Sequence, residues 1–82
     1  MNKDAFDEAL LAFLYHGHWL ERSTGLARSW KGFDWEAMQR LYEKGLIGDP
    51  VNKAKSVTLS EEGLKKAKKA FDRLFGDRAD DG

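Results

Sequence analysis

The residues best suited to chemistry in this 82-residue chain are two histidines, fourteen carboxylates and fourteen basic side chains, with no cysteine among them. His16-Gly17-His18 invites a metal reading, but a zinc site needs three or four protein ligands, and no third candidate stands at metal-site spacing. An imidazole at a helix end, favoured there when charged, accounts for the histidines more simply. The absence of cysteine excludes disulfides, thiolate metal sites and thiol nucleophiles. The phosphate-cradling GxxxxGK[ST], the dinucleotide GxGxxG, HExxH and the GxSxG elbow are all missing. The carboxylates are scattered over expected surfaces, which gives paired acid–base work no support. The expectation is a noncatalytic protein with no cofactor, no metal and no small-molecule substrate.

Two other residue classes can make a binding surface. Net charge is zero, which counts against strong nonspecific attraction to nucleic acid. The charges are nevertheless polarised: Arg22, Arg28 and Lys31 stand together without an acid, and lysines dominate residues 51–73. Lys53 and Lys55, with Asn52, would project from a hairpin where a phosphate backbone can meet them. The helix before that hairpin would expose Glu36, Gln39, Arg40, Glu43 and Lys44. Gln39 and Arg40 are typical readers of base edges, with Lys44 beside them, whereas the two glutamates repel phosphate. Lys65, Lys66, Lys68 and Lys69 read as the solvated back of an amphipathic helix. Of Trp19, Trp30 and Trp35, the last is expected in the core. Trp30 is the one suited to surface work, although packing against the helix that starts at Asp34 is favoured for it too. Phe71 and Leu74 join Trp30 as a candidate partner surface.

The elements that must position these residues are legible to different degrees. Residues 34–44 form a helix: Asp34 is a preferred N-cap, Phe33 and Met38 have staple spacing, and Gly45 falls where a left-handed residue stops a helix. Trp35, Met38, Leu41 and Tyr42 share its apolar face. A short strand at Leu46-Ile47, a turn at Asp49-Pro50, a tip over residues 51–54 and a strand over 55–59 make a hairpin. In the second strand Val57 and Leu59 point inward. Ser60 caps a last helix over residues 61–75, where Leu64, Ala67, Phe71 and Leu74 make a stripe that packs on the first helix. That first helix spans residues 4–20 or stops near Gly17, with Phe6, Leu10, Phe13 and Leu14 toward the core. Residues 21–33 are expected to hold one short helix near 26–30. Residues 1–76 form one domain, and the acidic tail 77–82 is expected to be disordered. No signal peptide or transmembrane run is present, so the expectation is a cytoplasmic protein with no membrane association.

The run L-Y-E-K-G-L-I, then a hairpin and S-V-T-L-S-E-E-G, resembles the winged-helix pattern of bacterial transcription regulators over residues 41–63. The run W-K-G-F-D-W, with K-A-K-S-V, resembles a family of small bacterial proteins of uncharacterised role and covers most of the chain. The first resemblance implies recognition-helix positions for Gln39, Arg40 and Lys44, and a wing carrying Asn52, Lys53 and Lys55. The expected fold is therefore α+β: a small winged-helix-like domain, mainly helical, with a two-stranded β-hairpin wing. Two functions compete, a DNA-binding or DNA-associated accessory module with duplex DNA as partner, and a protein–protein interaction module, either homodimeric or bound to another protein.

Overall fold

The computed structural model describes residues 1–51 and 54–76. Its first helix, α1 (Lys3–His16), starts where the Asn2 side chain accepts the Ala5 N–H at 3.1 Å and stops at Gly17. Asp7, Leu10, Leu11 and Leu14 lie along its buried side, the i, i+3, i+4, i+7 stripe of an amphipathic helix. The aromatic residues expected on that side are displaced from it: Phe6 and Phe13 are exposed. The branched, compact leucines fill the interior, and the two rings lie alongside.

Next comes a hairpin. β1 (Trp19–Leu20) and β2 (Ala27–Trp30) are antiparallel, with Trp19 opposite Arg28 and Leu20 opposite Ala27. Gly25, at φ +72°, turns the chain between them, a conformation that only glycine adopts without cost. The short helix expected near 26–30 is thus a strand. Ala27 and Ser29 face inward and are buried, while Arg28 and Trp30 face outward. Small inward residues let β2 lie close over the core, and neighbouring β3 supplies the backbone partners that a lone helical turn would lack.

α2 (Trp35–Glu43) follows. Asp34 stands at its N-cap position but makes no side-chain cap hydrogen bond, and Phe33 stacks on Phe13 of α1. Ala37, Met38 and Leu41 are buried; Trp35, expected beside them, is exposed. The stop has the expected form. Gly45 adopts φ +76°, its N–H donates to the Tyr42 carbonyl, and the Leu46 N–H donates to the Leu41 carbonyl at 3.0 Å. This is the paired bonding of a Schellman motif, with buried Leu41 and Leu46 as its apolar contact.

The chain returns through β3 (Ser56–Leu59), which pairs antiparallel with β2 from Ala27–Leu59 to Trp30–Ser56. Ile47 bridges Leu59 on the other edge, supported by the Gly48 N–H to the Thr58 carbonyl at 2.9 Å. The expected two-stranded wing is therefore corrected to a three-stranded antiparallel sheet, order β1-β2-β3, with the Leu46–Ile47 arm reduced to a bridge. The turn at Asp49-Pro50 is present, with the Asp49 carboxylate accepting the Val51 N–H at 2.8 Å. Val57 and Leu59 point into the core as expected.

α3 (Glu61–Phe75) is capped by Ser60, whose hydroxyl accepts the Gly63 N–H at 2.9 Å and donates to the Gly45 carbonyl at 2.8 Å. One side chain thus ties the end of α2 to the start of α3. Ala67 and Ala70 are buried, and Leu64 and Phe71 pack against the core. These residues seat α3 on α1, its main contact. The result is a small α+β domain of three helices and a three-stranded antiparallel sheet. No helix among the described residues is long and apolar enough to cross a membrane. The expectation for the tail, 77–82, lies outside the described residues.

Candidate functional site

The basic residues expected to touch nucleic acid are built into the domain in different ways. Asp7, 3% exposed, is the buried charge of α1. The Arg40 guanidinium grips it bidentately, Nε to Oδ2 at 2.9 Å and Nη2 to Oδ1 at 2.7 Å. Lys44 Nζ adds a contact at 3.3 Å. The Arg40 hydrogen bond, opposed by burial and assisted by Lys44, holds the Asp7 carboxyl below the usual aspartate range. Two of the three candidate recognition residues therefore close the seam between α1 and α2. Gln39 is half-buried on the same helix, while Glu36 and Glu43 are exposed beside it. Lys55 is exposed next to β3; Asn52 and Lys53 lie outside the described residues.

Two of the three residues in the other basic cluster, Arg28 and Lys31, are also engaged. Arg28 Nε donates to the Ser56 hydroxyl at 2.9 Å across the sheet, and Lys31 Nζ donates to the Pro50 carbonyl at 2.8 Å. Among the described residues no group of three or more His, Cys, Asp or Glu side chains gathers to hold a metal. His18 contacts the Tyr15 carbonyl through Nδ1, and His16 lies parallel to the Phe71 ring at 5.9 Å.

Aromatic residues make the distinctive surface. Phe13, at 50% exposed, projects between α2 and α3 and touches a ring on each side. Its centroid is 6.4 Å from Phe33, just before α2, and 5.6 Å from Phe75, near the end of α3. Those two rings are 40% and 49% exposed. Phe75 continues to Phe71 at 5.9 Å, and Phe71 to Tyr15 at 5.5 Å. Of the two residues singled out on α3, Phe71 belongs to this chain of rings and is half-buried in the α1–α3 seam, while Leu74 is exposed. Trp30 belongs to a second cluster. It is exposed on the outward side of the sheet and meets Trp19 at 5.5 Å.

Phe13, Phe33 and Phe75 were not singled out as surface residues by sequence reasoning. Phe6 and Phe13 are seven residues apart, the spacing of one helical stripe, and the buried pair Asp7 and Leu14 repeats that spacing one position along. Periodicity alone does not say which stripe goes inside. The signal that separates the two stripes of α1 is leucine content. Leu10, Leu11 and Leu14 define one arc, which takes the core, and the phenylalanines define its neighbour.

Comparison with known proteins gives the lineage. A family model described as "Domain of unknown function (DUF6429)" matches residues 2–77. The chain is 47% identical over 75 residues to "Uncharacterized protein y4hR" of Sinorhizobium fredii (strain NBRC 101917 / NGR234), an alignment covering 92% of this chain and 95% of that protein. No solved structure gives a significant match. With the family model spanning nearly its whole length and a bacterial relative aligned along most of both chains, the chain belongs to the DUF6429 family.

Proposed function

We propose that this domain is a noncatalytic protein-interaction module that engages another polypeptide through the Phe13–Phe33–Phe75 face. The observation that carries the reading is the contact of three half-exposed phenyl rings drawn from three different parts of the chain. Burying one such side chain fully is worth about 1.5–3 kcal/mol, and roughly half of that is forgone at each ring. The largest apolar patch on a small domain, typically a few hundred Å², is often a functional one.

The nucleic-acid reading has less to support it. A duplex contact through α2 would have to draw Arg40 and Lys44 away from Asp7 while Glu36 and Glu43 face the phosphates. The winged-helix likeness rests on α2, its Schellman stop, the Leu46–Ile47 arm, β3 and the capped α3. With β2 in the place of a preceding helix, α2 has no helix-turn-helix partner to brace it against a groove. Within the proposal, the module works in the cytoplasm.

Site-specific photo-crosslinking in the native host tests the reading. A benzophenone amino acid placed at Phe13, Phe33 or Phe75 should yield defined polypeptide adducts, and one placed at Lys66, on the lysine-rich side of α3, should not. Adducts with nucleic acid in place of protein, or none at the three aromatic positions, would overturn it.

A further inference from the structure

We infer that the occupant of the aromatic face is a second copy of this chain, joined in a two-fold symmetric dimer in which each Phe13 enters the hollow between α1 and α3 of the other. The inference rests on the protein-interaction reading and names its partner. Phe13 is a ridge between two open hollows. One, of about 260 Å³, is walled by Phe13, His16, Phe71 and Phe75. The other, of about 170 Å³, lies toward Phe6, Phe33 and Asp34. A projecting ring beside a hollow lined by rings is a self-complementary shape, the requirement of an isologous interface.

The polar ends of the face agree with this. Asp34 stands at one end with its carboxylate free of any cap hydrogen bond, and His16 stands at the other. A two-fold axis beside Phe13 reverses the face, so His16 of each protomer meets the other's Asp34, a ring N–H donor against a carboxylate acceptor. Glu8 and Arg73 already neutralise one another in an ion pair between α1 and α3. Neither therefore repels a second copy.

Area is consistent as well. Aromatic side chains present about 150–250 Å² each, so the half-open rings with Phe6 leave roughly 350 Å² of apolar surface. A stable interface takes about 800 Å² per partner, of which a polar rim ordinarily supplies the remainder. An 82-residue domain also gains from oligomerisation, since it buries only about 60–65% of its unfolded surface alone.

Sedimentation velocity over a concentration series tests this, with Phe13→Glu as the disrupting variant and far-UV circular dichroism to check its fold. The wild-type chain should sediment as a dimer and the variant as a folded monomer. A second measurement exploits the absence of cysteine. Oxidising a mixture of the single variants His16→Cys and Asp34→Cys should give a mixed disulfide-linked dimer, and each variant alone should give far less. A wild-type chain that is monomeric at every concentration, or a dimer that fails the mixed crosslink, would overturn the inference. In the monomeric case, photo-adducts with a foreign protein at Phe13 would leave the interaction reading standing; their absence would remove both.

Discussion

Asp7 is a charge on the buried stripe of α1 that Leu10, Leu11 and Leu14 otherwise fill. Desolvation makes such a group costly unless it is fully paired, and the bidentate Arg40 contact with Lys44 beside it provides the pairing. Asp7→Asn keeps the shape and removes the charge, and should cost about 2 kcal/mol at neutral pH, the scale of hydrogen bonds to charged groups. The sign of the pH dependence follows from the lowered pKa in the folded state, caused first by the Arg40 hydrogen bond. A carboxyl with a depressed folded pKa contributes stability that is fully present above its unfolded pKa, about 3.9. That contribution is lost as pH falls through the folded value. The stability gap between wild type and Asp7→Asn should therefore be widest at neutral pH and close progressively below about pH 4. Urea midpoints measured across that range check it. Glu8, whose carboxyl is also held low by its Arg73 hydrogen bond, is present in both proteins and cancels from the difference. A gap that stays constant with pH would show that Asp7 acts through packing alone.

The junction between α2 and α3 shows how elements are fixed against one another. Ser60 accepts from Gly63 and donates to Gly45, so Ser60→Ala removes an N-cap and a tie between helices. It should lower stability by about 1–2 kcal/mol, read as a shift in urea midpoint. Gly63 gives a sharper test because two principles disagree in sign. Helix propensity favours alanine over glycine by about 1 kcal/mol. Here, however, a Cβ would fall 1.8 Å from the Leu46 carbonyl oxygen, a backbone atom that cannot swing aside. Overpacking should win, and Gly63→Ala should destabilise by about 3 kcal/mol. A stabilised variant would mean that the two segments separate readily. The same junction was readable from sequence, since capping serine, stopping glycine and leucine pairs are local signals with local causes. β2 was not readable for an equally physical reason. Its inward residues, Ala27 and Ser29, carry little hydrophobic signal, whereas Leu26 and Trp30, which carry most of it, are exposed. The alternation was present with its strong residues facing outward. Trp35 failed in the same way: its spacing fitted the α2 stripe, but Ala37, Met38 and Leu41 already filled the space against α1.

For the whole molecule, the proposal turns on which surface a partner would meet, and charge is what separates the two classes of partner. The sequence showed polarised charge correctly, but the pairing of those charges depends on tertiary contacts between residues far apart in the chain, such as Asp7 with Arg40. Once that pair forms, the α2 surface is left with Glu36 and Glu43 exposed beside a half-buried Gln39. The remaining lysine-rich surface, on the outer side of α3, is interrupted by Glu62 and Asp72, which pair with Lys66 and Lys68. Nucleic-acid affinity at neutral net charge would have to come from a focused cluster of free cations, since each phosphate contact contributes through counterion release. A titration of duplex DNA into the protein, followed by tryptophan fluorescence, should therefore leave the emission unchanged at about 0.15 M salt. Trp30 and Trp35, both more than half exposed, are placed to report binding on the sheet or on α2. The variant Lys53→Glu with Lys55→Glu should behave as wild type. Saturable binding that weakens with salt and disappears in that double variant would reverse the conclusion. It would make Lys53 and Lys55 phosphate contacts, and Phe13 would then have to be explained as a dimer seam that arranges two such pairs along one duplex.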